Sequence, residues 1–132
     1  MLKLGLDTES LHLWFQNKRM DIFGFIEKAH ELGFDGVMIN ILKDYNLDPE
    51  WGTLMNNDPA HLKRVRDLLE SYHMYAELAT KGITKEHLLK VLDVAEALAA
   101  DIIRTYIPIT LNPLASRATG GEGKYDQAKV RG

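Results

Sequence analysis

Cysteine is absent from all 132 residues, which excludes disulfides and thiolate metal sites and fits a reducing compartment. Long hydrophobic runs are absent too. The N-terminal "MLKLGLDTES" meets Asp7 too early for a secretory signal, and no later stretch approaches the length of a membrane span. Neither sign of charge forms a run: 16 Lys and Arg stand against 19 Asp and Glu, a net charge of −3. That balance gives no electrostatic footprint for nucleic acid or an anionic membrane. A P-loop, a G-x-G-x-x-G turn and a Ser nucleophile elbow are missing, which removes support for nucleotide-driven or serine chemistry. His30, His61, His73 and His87 show no H-E-x-x-H or H-x-H spacing and read as surface or second-layer residues. The expectation is a cytoplasmic protein acting on a small molecule, with no nucleic-acid partner and no membrane.

What is present is regular. At 45% hydrophobic, the chain suffices for one core and one domain. "DIFGFIEKAHEL" places Ile22, Phe25, Ile26, Ala29 and Leu32 at helical spacing behind the capping Asp21, and Gly33 follows as a stop. A second helix starts at Asp58 and Pro59, with Leu62, Val65, Leu68, Leu69 and Tyr72 in one stripe. A third follows Thr84, with Leu88, Leu92, Ala95, Leu98 and Ala99 as its apolar face.

Short strand-like runs lie between them: Leu2 to Asp7, Gly36 to Ile41, Tyr75 to Ala79 and Ile102 to Ile107. The order β-α-β-α-β-α-β calls for right-handed crossovers and a parallel sheet. One strand face is aliphatic, while the other is mixed and carries Asp7, Asn40, Glu77 and Arg104. An open doubly wound sheet wants apolar residues on both faces, so a barrel with helices outside and a polar mouth inside fits better. The connections after the first two strands, Thr8 to Met20 and Leu42 to Asn57, are long, as they are where α/β barrels build their sites. The fold class expected is therefore α/β: parallel (β/α) units of a TIM barrel, about four strands and three helices, a half-barrel. Residues 1–107 form the ordered half and 108–132 a polar loop or tail punctuated by Pro and Gly.

Several residues on the mixed face carry chemistry. A carboxylate on an inward strand face is costly to bury unless paired or functional, so Glu77 is either a sugar-hydroxyl acceptor or the ion-pair partner of Arg104. Asp7 and Asn40 sit at strand ends, where they either meet a polyol or cap loops. His12, Trp14 and Phe15, in the first long loop, suit stacking on a sugar with an imidazole nearby, or a hydrophobic cluster closing the barrel top. Trp51 in the second long loop reads the same way.

"FIEKAHELGFDGVMIN", with Gly33-Phe34-Asp35-Gly36-Val37, resembles the helix-to-strand signature of the xylose isomerase-like TIM barrels. "LLESYHMYAELA" and "VAEALAADIIRTYIP" are similar to that superfamily's third and fourth strand entries, so the resemblance covers about residues 2–108. The superfamily commonly has Glu after its "GFDGV" turn, where this chain has Met38. The resemblance implies a sugar or sugar-phosphate isomerase or epimerase that moves a proton next to a carbonyl, assisted by a divalent metal (Mn, Mg, Zn or Co) in the complete barrel. It implies His12, Asn40, Glu77 and Tyr106 as substrate-binding residues, supported by Asp7, Trp14 and Arg104. The metal ligands usually come from the second half of such a barrel, so none is expected in these residues and the metal chemistry would be supplied elsewhere.

Two other readings remain open. One is a non-catalytic half-barrel that self-associates or pairs with a missing C-terminal half, because its outer strands would expose unpaired edges. The other is an endonuclease IV-like hydrolase, which the acidic balance disfavours.

Overall fold

Four short parallel strands, β1 (Gly5–Asp7), β2 (Gly36–Asn40), β3 (Tyr75–Ala79) and β4 (Ile102–Arg104), pair in chain order in the computed structural model, which describes residues 1–41 and 57–107. Helix α1 (His12–Gln16) lies between β1 and α2 (Ile22–Glu31); α3 (Pro59–Ser71) and α4 (Lys85–Leu98) make the later crossovers. The order matters. A doubly wound sheet reverses at a switch point and takes helices on both faces, whereas crossovers that always advance to the next strand place their helices on one face. The chain is thus α/β with an all-parallel sheet, consistent with a half-barrel of β/α units.

Local signals set the helix starts. The Asp21 carboxylate accepts from Gly24 N at 2.8 Å, Asp58 from Ala60 N at 3.1 Å and His61 N at 3.2 Å, and Thr84 Oγ1 from His87 N at 3.3 Å. Each such cap stabilises its helix by about 1 kcal/mol. The core lies between these helices and the aliphatic strand face. Leu6, Val37, Ile39, Ala76, Leu78 and Ile103 from the sheet meet Phe25, Ile26 and Ala29 of α2, Leu62, Val65 and Leu69 of α3, and Val91, Val94, Ala95 and Leu98 of α4. Burying one such large side chain is worth about 1.5–3 kcal/mol, so this layer is the main source of stability.

The structure departs from the sequence reading in several places: Leu32, expected on the apolar face of α2, is exposed at its C-terminal cap. A fourth helix, α1, occupies the first connection, preceded by a 3-10 turn over Thr8–Leu11; Phe15 anchors it in the core with its ring 5.7 Å from that of Phe25. On α4 the buried stripe runs through Val91 and Val94, and Leu92 is exposed, because the helix packs between α3 and β3 and turns its other side outward. The outer strands are shorter than their apolar runs. The β1–β2 ladder begins at Gly5, although Leu4 already pairs with Asp35, its carbonyl accepting from Asp35 N at 2.7 Å. Beyond β4 the chain bonds the β3–α4 loop, with Gly82 N donating to Tyr106 O at 3.1 Å and Thr105 Oγ1 donating to Gly82 O at 2.7 Å. Trp51, most of the second long connection and the tail at 108–132 lie outside the described residues. No helix among the described residues is long and apolar enough to cross a membrane.

On the face away from the helices, Gly5, Gly36 and Tyr75 stand in register across β1, β2 and β3. The Tyr75 ring lies flat over both glycines: a Cβ built on Gly36 overlaps the ring, and one built on Gly5 comes within 2.6 Å of the phenol oxygen. Overpacking of this kind costs about 1–3 kcal/mol. Gly36→Ala should therefore destabilise by about 2 kcal/mol in chemical denaturation, and by much less in a Tyr75→Ala background. Equal losses in both backgrounds would remove the ring from the explanation.

His61, only 6% exposed, has an Nε2 with no hydrogen-bond partner among the described residues and meets the Phe23 ring edge-on at 5.6 Å. Burial lowers its pKa, and the nearby Arg64 adds to this, against the opposing pull of Asp58 and Asp21. With the folded value below the ordinary 6.5, the stability gained from a neutral His61 is complete above that pH and is lost as pH falls through it toward the folded value. Denaturation midpoints should fall from neutral pH toward pH ~5, and His61→Leu should flatten that slope.

Candidate functional site

The same inner face carries the polar residues, and the ladder registers fix their neighbours. One residue on from the glycine–tyrosine row the side chains point to the helices; two on, Asp7, Met38, Glu77 and Ile102 form the next inner row. Asn40, Ala79 and Arg104 form the third, at the carboxyl ends of the strands. Tyr75 thus closes the amino end of the face, and beyond it opens a hollow of about 250 Å³ lined by Asp7, Met38, Tyr75, Glu77 and Arg104 and by the backbone side of Gly5 and Val37.

Asp7 is the most connected of these residues. Its Oδ1 accepts from Asn40 Nδ2 at 2.6 Å and from Glu9 N at 2.8 Å, and its Oδ2 faces the Arg104 guanidinium at 3.8 Å. Asn40 is buried: its backbone N and its Nδ2 both donate to Thr8 Oγ1, at 3.0 and 2.9 Å. This network ties the 3-10 turn after β1 to the end of β2 and holds the Asp7 carboxylate at the rim. Arg104 also lies over the Tyr106 ring, 5.5 Å from its centroid.

Glu77 differs from its neighbours. It is half-buried at the centre of the inner face, yet among the described residues it has neither a hydrogen bond nor an ion pair. Among the described residues Arg104 pairs with Asp7 and not with Glu77, although all three line the same hollow. The phenol of Tyr75 is raised above its ordinary pKa, first by burial and then by Glu77 and Asp35, so it stays a neutral donor at physiological pH.

The structure therefore brings Asp7, Asn40, Glu77 and Arg104 together, with Tyr106 beside Arg104. His12 and Trp14 are not among the residues lining the hollow. His12 Nδ1 contacts the Glu9 carbonyl at 3.0 Å on its own turn, Trp14 is exposed on α1, and Phe15 is in the core. Three contributors carry no obvious sequence signal. Tyr75 becomes meaningful only once register sets it against two glycines, and Thr8 acts through a contact 32 residues away. His87, read as peripheral, has its Nε2 2.8 Å from Thr80 Oγ1, which itself donates to Ile41 O. It thereby pins the start of α4 to the carboxyl end of the sheet.

A divalent ion does not fit the described donors. Asp7 already serves Asn40, Glu9 and Arg104, a guanidinium stands beside the hollow, and the described residues contain no group of three or more His, Asp or Glu side chains able to hold a metal. What the arrangement offers instead is a carboxylate unpaired among the described residues, a neutral phenol and a guanidinium around a small polar space. Such a set hydrogen-bonds hydroxyl and carbonyl oxygens. The chain matches no protein-family model, and no curated protein shows significant similarity to it.

Asn40 and Arg104 should separate structural from surface roles. Asn40→Ala, which breaks one buried and one partly buried side-chain hydrogen bond, should cost about 2 kcal/mol. Arg104→Met, which removes a long and half-exposed ion pair, should cost under about 1 kcal/mol. Urea denaturation of the two variants checks the order.

Proposed function

We propose that this chain forms the carbohydrate-binding half of an isomerase- or epimerase-type α/β barrel, with a sugar or sugar phosphate held in the inner-face hollow. The observation that carries the reading is Glu77. A half-buried carboxylate without a partner among the described residues, on the sheet face that bears no helices, suits a bound hydroxyl or a proton next to a carbonyl. Asp7 and Arg104 flank it, and the guanidinium is suited to a carbonyl or phosphate oxygen. The resemblance of the Gly33–Val37 turn and of the β3 and β4 entries to the xylose isomerase-like barrels supplies the reaction class. In that class this chain's residues bind and orient the substrate, and Glu77 accepts a hydroxyl hydrogen or the migrating proton.

A panel of free and phosphorylated pentoses and hexoses, titrated into the isotopically labelled protein, tests the proposal by amide chemical shifts. Shifts concentrated at Asp7, Met38, Glu77 and Arg104, with affinity reduced at least about tenfold by Glu77→Gln, are expected; tenfold corresponds to one strong hydrogen bond to a charged group. Shifts confined to the helix face, or unchanged affinity in the variant, would overturn it.

A further inference from the structure

We infer that a second copy of this chain completes the sheet, with β4 of each copy pairing in parallel with β1 of the other to close an eight-stranded barrel around a twofold axis. The inference does not depend on what the hollow binds. It starts from the edges: β1 and β4 are the outer strands, and among the described residues neither has a strand beyond it. Exposed parallel edges are templates for pairing, and closure removes them. Both edges are also apolar. Of the twelve large hydrophobic side chains that are exposed among the described residues, six lie on these two segments: Met1, Leu2 and Leu4 leading into β1, and Ile102, Tyr106 and Ile107 in and after β4.

The stagger of the sheet says which copy fits. The inner row Asp7–Met38–Glu77–Ile102 begins at the last residue of β1 and ends at the first residue of β4. The sheet is therefore sheared, and β1 projects at its amino end where β4 continues at its carboxyl end. Barrels of eight parallel strands close with a shear of about eight residues, hence about four for each half. Carried on by that step, the row runs from Ile102 to the partner's Lys3, and Arg104 falls opposite the partner's Gly5. In this register Leu2 and Leu4, which share the helix-side parity of Leu6, meet Ile103 and its outer-face neighbours. The same operation applied twice uses all four edges, as a closed twofold assembly requires. It also brings a second Asp7, Glu77 and Arg104 set to the same mouth, so the hollow becomes half of a larger two-sided cavity.

The absence of native cysteine makes the test clean. Paired residues on neighbouring strands lie about 5 Å apart, within disulfide reach, whereas β1 and β4 of one copy are about 14 Å apart across three strand spacings. Light scattering on the 132-residue chain should give twice the mass of one chain. The variant carrying both Lys3→Cys and Ile102→Cys should form an intermolecular disulfide under mild oxidation, while the pair Lys3→Cys and Arg104→Cys should not. A monomeric native chain at millimolar concentration would overturn the inference, also if its β1 amides resist hydrogen exchange, since another part of the same chain would then cover that edge. A dimer that cross-links only through the offset pair would overturn the register.

Discussion

The inner face is organised by one contact, the Tyr75 ring lying across Gly5 and Gly36. Two strands present no side chain where the third presents its largest, so the ring lies flat and fills the amino end of the face. A slip of one residue between any of these strands would turn the ring, the glycines and every polar group of the next two rows to the wrong side. The helix-side core would be lost with them, because Val37, Ile39, Ala76 and Leu78 alternate with those same residues. Burial of the aliphatic face supplies the free energy, and the glycine–tyrosine row helps to select the register in which that burial coexists with a hollow at the carboxyl end.

Given that register, the polar residues divide their work. Asp7, Asn40 and Thr8 bond to one another and join the first connection to β2, which makes them a frame. Arg104 leans on that frame through Asp7 and on Tyr106 through its ring. Glu77 is left without a partner among the described residues. A carboxylate in that position costs free energy that a structural role would have recovered by pairing, and this places it at the centre of the functional reading.

Much of this was legible in the sequence because its causes are local. Asp21, Asp58 and Thr84 start helices through bonds spanning two or three residues, and the alternation along each strand separates the two faces without knowledge of its neighbours. The features that escaped depend on distance along the chain. Helix α1 rests on a single anchor, Phe15, in too short a segment to show a period. The buried side of α4 is chosen by what lies beside it, and its sequence contains a second aliphatic stripe that could have served. The partner of Arg104 and the role of Tyr75 both follow from strand stagger, which no single strand encodes. Met38 shows the converse: the β2 alternation places it in the inner row, but it brings no charged group there, so the polar centre of this face falls to Glu77 on the next strand.

The most direct test of this organisation is a proton nuclear Overhauser spectrum of the labelled protein. The account predicts strong cross-peaks from the Tyr75 ring protons to the α-protons of both Gly5 and Gly36, with those α-protons shifted upfield by the ring current. A Tyr75 ring that shows neither contact, with glycine α-protons at ordinary shifts, would contradict it.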